Sequence, residues 1–322
     1  MKNIMSGHSL RKSLEIIITC ISAAVILFSS FQYQNYNDLA IYQISILESG
    51  YYAGDFLFEN LQLIIFFLFG ESFVLSFLQF LVVMFAYFIY LKNRGRNGYP
   101  LFLLVFISPL FILGLFNSIR QVLATLIILV TYDGRQKFSF RIILSFCVAL
   151  LIHQASIVLI FLLIIRNLLL TRSLRIQKSL LNVLILSVLI LFLVYVSIFA
   201  VTIWDRYSVY LSDGVIYTAG RYGIEKFIPW SMVWFLLLLL SFQGRKVGNS
   251  LSLIGLIYTF FLLTDCIMRG FDEFHSRMLL INNALLLILS IETVKRETWV
   301  SPKILIIFSV NVFNPSSWGV LL

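Results

Sequence analysis

Arg120 lies at a position where the chain could bind an anion. It follows Asn117 and Ser118, which suit a helix N-cap, and it opens the apolar run 119–132. A helix start offers free backbone N–H groups and a partial positive charge, so an arginine there favours an anion, above all phosphate. The alternative is an arginine that only extends its side chain to lipid headgroups.

His153 and the acids of segment 31–71 are the candidates for proton transfer. His153 separates the apolar runs 139–152 and 155–166, and a histidine can exchange a proton near neutral pH. Asp38 or Glu48 would suit a general base that takes the proton of an attacking hydroxyl. Simpler interpretations stay open: a histidine that caps a helix turn, and acids that merely belong to a hydrophilic loop.

The composition indicates that lipid surrounds most of the chain. Its 322 residues are 60% hydrophobic and 12% charged, against about 25% charged in average soluble domains, and the mean hydropathy is +0.97. The apolar runs are continuous and lack the alternation of barrel strands. Because backbone polar groups in hydrocarbon must be bonded within their segment, we predict an all-α fold. It is one polytopic transmembrane helix bundle over residues 1–322, with about 10–11 helices.

The apolar runs also predict where the helices lie. They are 14–30, 72–91, 100–116, 119–132, 139–152, 155–166, 180–203, 228–243, 249–266 and 278–294, with 303–322 as either an eleventh helix or a surface tail. The stretch 61–70 is apolar but too short to span, so we interpret it as interfacial or re-entrant.

The distribution of charge predicts the orientation. With the N-terminus in the cytoplasm, three quarters of the 24 Lys and Arg residues fall on the cytoplasmic side, and most of the 15 acids fall on the outer side. The outer loops are then 31–71, 204–227 and 267–277. Because the basic residues lie in short loops between apolar runs, the net charge of +9 does not indicate that the protein binds nucleic acid.

The lengths of two runs predict how deep Arg120 and His153 lie. Arg120 is 13 residues from Asp133, and His153 is 12 residues from Arg141, which corresponds to about 20 and 18 Å of helix. The hydrocarbon core is about 30 Å thick. We therefore expect both side chains below the outer surface, in one water-accessible cavity.

Further outer arginines would add positive charge to this cavity, so that the set neutralises a dianionic group without metal. They are Arg206, Arg221, Arg269 and Arg277. Each is also explained as a loop charge paired with a neighbouring acid. The sequence contains no metal-binding motif, so we expect no metal and no cofactor. A magnesium ion held by first-loop carboxylates and the phosphates of a substrate stays open as an alternative.

Three short motifs resemble one protein family. They are Tyr36-Asn37-Asp38, Tyr42 and Glu48-Ser49-Gly50-Tyr51-Tyr52; Arg120-Gln121-Val122-Leu123-Ala124 with Leu151-Ile152-His153-Gln154-Ala155-Ser156; and Arg269 with Arg277. In this order they resemble the EpsG-like proteins, polymerases of bacterial exopolysaccharide, capsule and O-antigen that are related in role to Wzy. Ile152 stands where the family usually has an aromatic residue.

The resemblance implies a membrane glycosyltransferase with a GT-C-like architecture in the bacterial cytoplasmic membrane. It would move an undecaprenyl diphosphate-linked glycan onto the next lipid-linked repeat unit at the outer face, alongside a flippase and a chain-length regulator. Arg120, Gln121, Arg206, Arg221 and Arg277 would bind the diphosphate. His153, Glu48 and Asp38 would join Arg120 in catalysis, and Tyr51 and Tyr52 would contact the glycan.

The alternatives to a polymerase are a flippase, an O-antigen ligase and a membrane acyltransferase. A flippase for the same lipid-linked sugars needs polar residues along a path through both leaflets, and charges within the apolar runs are almost absent. An O-antigen ligase shares the donor chemistry and stays open. A membrane acyltransferase usually pairs its catalytic histidine with an acid, and no acid lies near His153 in the sequence.

Overall fold

The computed structural model describes residues 55–93, 98–116, 118–132, 139–171, 227–242, 246–269, 273–295 and 302–312. Every regular element within these ranges is an α-helix. The helices are α1 Phe56–Phe69, α2 Glu71–Asn93, α3 Gly98–Ile107, α4 Pro109–Phe116, α5 Ile119–Thr131, α6 Phe140–Ile152, α7 Ser156–Thr171, α8 Phe227–Phe242, α9 Lys246–Arg269, α10 Glu273–Val294 and α11 Pro302–Val312.

Most predicted helices within these ranges are confirmed, but the prediction of one continuous helix over 100–116 is wrong. The helix is interrupted at Ser108, which lies between α3 and α4. Pro109 causes the break, because proline has no N–H and disfavours helical geometry at the preceding residue. The Ser108 hydroxyl accepts a hydrogen bond from the Phe111 amide at 3.3 Å. The runs 14–30 and 180–203, and the chain after residue 312, lie outside the described residues.

α1 and α2 pack side by side as a helical hairpin. The short stretch predicted at 61–70 belongs to a longer helix that begins at Phe56. Gly70 ends α1 with a φ of 85°, a backbone conformation that glycine adopts without the steric cost of a Cβ. Its amide donates to the Phe66 carbonyl at 2.9 Å. The chain then reverses into α2, whose Phe77 ring stacks on Phe69 at 6.3 Å between centroids.

α5 occupies the centre of the first seven helices and packs against α2, α4, α6 and α7. The approach of α4 is close, because a Cβ on Gly114 would overlap Val122 of α5 and lie 3.2 Å from Val82 of α2. Gln79 of α2 is buried and donates to the Leu115 carbonyl at 2.7 Å. Val82 is thus level with Val122. Because Lys92 near the end of α2 also donates to the Tyr132 carbonyl at the end of α5, the two helices run in the same direction.

α8 to α11 form a second group, which α10 joins to α3, α4 and α7. The Trp234 indole packs flat against Gly255 of α9, where a Cβ would overlap its ring. Trp234 Nε1 donates to Asn282 Oδ1 of α10 at 3.3 Å, and Asn282 Nδ2 donates to Thr259 Oγ1 at 3.1 Å. These buried polar contacts fix the register of three helices, since an unbonded amide in an apolar core is costly.

A charged cluster ties the two groups together at the end of the bundle where α2, α5 and α7 finish. Arg166 of α7 is completely buried and forms an ion pair with Glu292 of α10. Arg166 Nη1 also donates to the Tyr132 hydroxyl at 3.0 Å, and Lys92 of α2 donates to the Tyr132 carbonyl at 3.2 Å. Arg166 thus connects α7 with α10 and with the end of α5, and Lys92 connects α2 to the same place through Tyr132.

Two described helices contain apolar stretches long enough to cross a membrane, Phe73–Asn93 and Ser250–Ile267. Other apolar stretches are shorter, at 10–17 residues, and among them are Ile119–Thr131 and Phe140–Ile152. A helix of 13 residues rises about 20 Å, so α5 and α6 are shorter than the hydrocarbon core. The ends of these two short helices carry Arg120 and His153.

Candidate functional site

Asp55 lies at the centre of a buried polar cluster that contains Arg120 and His153. One carboxylate oxygen, Oδ2, forms an ion pair with Arg120 Nη1 and lies 3.4 Å from His153 Nδ1. The other oxygen, Oδ1, accepts a hydrogen bond from the Gln154 amide at 3.2 Å. We call Asp55, Arg120 and His153 the Asp55 cluster.

Three helix ends bring these side chains together. Asp55 precedes α1, and its carbonyl accepts hydrogen bonds from the Phe58 and Glu59 amides at 2.9 and 3.1 Å. Its side chain makes no capping bond to α1 and is turned towards Arg120 instead. Arg120 is the second residue of α5, which directs its guanidinium out of the start of that helix.

His153 ends α6 and precedes α7. It has an extended backbone, with φ −156° and ψ 112°, because the chain must leave one helix before it enters the next. Its amide donates to the Ala149 carbonyl at 2.8 Å, and its carbonyl accepts from the Ser156 amide at 3.0 Å. The imidazole is thus held at a corner between two helices.

Ser118 occupies the N-cap position of α5, as predicted, but its side chain makes no capping hydrogen bond. The prediction of a side-chain cap is therefore wrong, although the position is right. The Ser118 carbonyl accepts the first hydrogen bond of α5, from the Val122 amide at 3.0 Å.

The Asp55 cluster is shielded from solvent and its charges are matched. The side chains of Arg120, Asp55 and His153 are 13%, 8% and 3% exposed. The Arg120 guanidinium also lies over the Phe58 ring, 5.9 Å from its centroid, a position in which the face of an aromatic ring attracts a cation. A buried ion pair that is also hydrogen-bonded holds its members in fixed positions.

The cluster lies well inside the end of the longest span near it. Val122 is level with Val82 of α2. Arg120 lies two residues before Val122, so Arg120 is level with about residue 80 of α2. The start of α2 at Glu71 is nine residues away, or about 14 Å along the axis.

Asp55 is the member of the cluster that the sequence does not single out. His153 has no acidic neighbour in the sequence, but Asp55, which lies 98 residues away along the chain, is beside it in space. One signal is present in the sequence: Asp55 immediately precedes the apolar stretch that becomes α1. It is otherwise one of several acids in the predicted outer loop 31–71.

The other predicted site residues are placed as follows. Gln121 is buried, and its carbonyl accepts from the Thr125 hydroxyl at 2.8 Å. Arg277 lies within α10. Those outside the described residues are Asp38, Glu48, Tyr51, Tyr52, Arg206 and Arg221.

A second histidine–carboxylate pair links α9 and α10. His275 Nε2 lies 3.0 Å from Asp265 Oδ2, and the Phe227 ring meets the imidazole edge to face at 6.2 Å. His275 and Arg120 lie at the same end of the bundle, because α10 reaches Glu292 and α5 reaches Tyr132 only at the opposite end. Among the described residues, no group of three or more His, Cys, Asp and Glu side chains could hold a metal ion.

A bundle of apolar helices that buries a matched ion pair and a histidine at its helix ends is typical of polytopic membrane proteins. The family comparison makes the assignment specific: a model of the EpsG family matches residues 15–314. The chain belongs to the EpsG family of polysaccharide polymerases. No curated protein and no solved structure matches it.

Proposed function

We propose that this protein is a membrane glycosyltransferase that polymerises polysaccharide from lipid-linked repeat units. It transfers glycan from an undecaprenyl diphosphate carrier onto a sugar hydroxyl of the next lipid-linked unit. The observation that carries this proposal is the Asp55 cluster, in a chain whose family is that of the EpsG-like polymerases. An arginine, a histidine and a carboxylate together supply what this reaction needs.

Arg120 would bind the diphosphate of the donor. In the reaction, the acceptor oxygen bonds to the anomeric carbon while the bond from that carbon to the diphosphate oxygen breaks. The electron pair of that bond passes to the diphosphate, so negative charge grows there, and a fixed guanidinium stabilises the transition state. Because a guanidinium carries five N–H donors, Arg120 can hold Asp55 and a phosphate oxygen together.

His153 would take the proton of the attacking hydroxyl. Its Nδ1 faces Asp55, so Nε2 is the ring nitrogen that would accept the proton. A carboxylate on Nδ1 fixes the orientation of the imidazole and stabilises the imidazolium that forms. Asp38 and Glu48 are the alternative bases, and Arg206, Arg221 and Arg277 would add cations around the donor diphosphate.

The orientation that we propose places the Asp55 cluster on the outer side of the cytoplasmic membrane, with the N-terminus inside and an overall GT-C-like arrangement. Basic side chains at the other end support it. Lys92, Arg141 and Arg166 all lie at that end, as the excess of Lys and Arg in cytoplasmic loops requires. A flippase would supply the substrate, and a chain-length regulator would set when polymerisation stops.

Arg120→Ala tests the proposal. We expect the variant to insert normally but to produce only single repeat units, because the leaving diphosphate has lost its cation. Arg141→Ala is a matched control, since Arg141 is an exposed arginine of α6 at the opposite end. A normal ladder of chain lengths from the Arg120 variant would contradict the role assigned to Arg120.

Two further enzymes and a transporter compete with the polymerase. The Asp55–His153 pair provides the acid that an acyltransferase would need, and a ligase would use the same lipid diphosphate donor. Purified protein in detergent separates these functions: elongation of lipid-linked repeat units excludes a pure flippase. Acyl transfer to the glycan, or transfer only onto a different lipid acceptor, would favour the other two enzymes.

A further inference from the structure

α1 carries a row of polar side chains that begins at the Asp55 cluster. Asp55, Glu59 and Gln62 are spaced by four and three residues, which places them on one face of a helix. Phe58 and Ile65 are buried on the same side, whereas Ile64 and Phe67 are exposed on the other side. A helix that buries polar groups and exposes apolar ones is the arrangement expected when its inner face lines a polar space in a membrane.

Two atoms of this row are buried without a hydrogen-bond partner among the described residues. They are Gln62 Nε2 and Glu59 Oε1. Gln62 is only 3% exposed. An unbonded amide in an apolar core destabilises a protein, and a leucine there would remove that cost. These groups are therefore costly to the fold unless something else binds them.

Asn60 of the same helix, unlike Glu59 and Gln62, forms a hydrogen bond within the helix. Its side-chain amide donates to the Phe56 carbonyl of its own helix at 2.7 Å and so needs no further partner. Glu59 and Gln62 do not turn back to α1 in this way. The unbonded atoms Glu59 Oε1 and Gln62 Nε2 therefore need a partner from outside the helix.

We infer that Glu59 and Gln62 form a glycan-binding subsite that continues the Asp55 cluster along the inner face of α1. The ligand class is an oligosaccharide, because sugar hydroxyls both donate and accept hydrogen bonds and match a carboxylate and an amide. From Asp55 to Gln62 the helix rises about 10 Å, comparable with the length of two linked sugar rings. This inference rests on the proposed function: the diphosphate lies at Arg120 and the sugars extend along α1.

Gln62→Leu is the discriminating variant. Two ligands are compared by direct binding to the purified protein in detergent. One is the lipid-linked repeat unit isolated from cells that lack this polymerase, and the other is sugar-free undecaprenyl diphosphate. We expect the variant to bind the repeat unit about tenfold more weakly, to bind the sugar-free lipid as before, and to unfold at the same temperature as wild type or higher. Asn60→Leu is the matched control and leaves both affinities unchanged.

The outcomes test the glycan subsite and the proposed function separately. Unchanged affinity of Gln62→Leu for the repeat unit overturns the subsite, as does an equal loss for both ligands. Arg120→Ala is run beside it: undiminished binding of both ligands by that variant contradicts the proposed function itself. If Gln62→Leu yields no folded protein, Glu59→Gln decides alone, since it keeps the size of the side chain while removing its charge. A wild-type affinity of Glu59→Gln for the repeat unit then overturns the subsite.

Discussion

Asp55→Asn removes one negative charge from the Asp55 cluster without changing the size of the side chain. In the wild type, Asp55 holds Arg120 in an ion pair and orients His153, and both basic side chains are nearly buried. The asparagine can still accept a hydrogen bond from the Gln154 amide. It cannot compensate the Arg120 charge or stabilise a positive charge on His153.

The magnitude of the effect follows from burial. Removing one partner of a buried ion pair costs about 3–5 kcal/mol, and this range applies because both side chains are far less than a third exposed. We expect the free energy of unfolding to fall by about 3 kcal/mol. Polymerisation should fall at least about 100-fold, the lower range for a general base that is lost or misplaced.

The assay is elongation of lipid-linked repeat units in detergent, with thermal unfolding measured on the same preparations. The double variant Asp55→Asn with Arg120→Gln separates stability from chemistry. Because it removes both charges, it should be more stable than the single variant, yet it should remain inactive. Activity of Asp55→Asn within threefold of wild type would refute the assignment of Asp55 to the site, and a double variant less stable than the single one would refute the electrostatic reasoning.

Two more predictions test the helix packing and the buried Arg166. Gly255→Ala should cost about 1–3 kcal/mol, because its Cβ would overlap the Trp234 ring; thermal unfolding at the wild-type temperature would contradict this. Glu292→Gln leaves the completely buried Arg166 without its countercharge, so it should cost about 3 kcal/mol or more in the same measurement.

Several parts of the fold were predictable because they depend on local composition. The apolar run 119–132 predicted α5, and the run 139–152 predicted α6, each within a residue. Continuous apolar residues bounded by polar ones require a helix in lipid wherever the rest of the chain lies. Local chemistry also predicted an anion site at Arg120 and a functional role for His153. Those roles remain proposals, although the structure places both side chains at one carboxylate.

Pro109 interrupts a stretch that the apolar pattern predicts as one helix. The apolar pattern of 100–116 continues through Ser108 and Pro109, so hydropathy alone predicted one helix. The missing N–H of proline and its clash with the preceding turn ended α3. Pro109 is visible in the sequence, but a pattern of hydropathy does not register a missing N–H.

The sequence by itself determined a basic, helical membrane chain with an arginine and a histidine at the ends of two short helices. Only the tertiary structure decided that Asp55 joins them, that Arg166 pairs with Glu292 across 126 residues, and that α1 turns Glu59 and Gln62 inward. The physical reason is that an ion pair depends on distance in space. Distance in space between such residues is set by how helices pack, which no local pattern encodes.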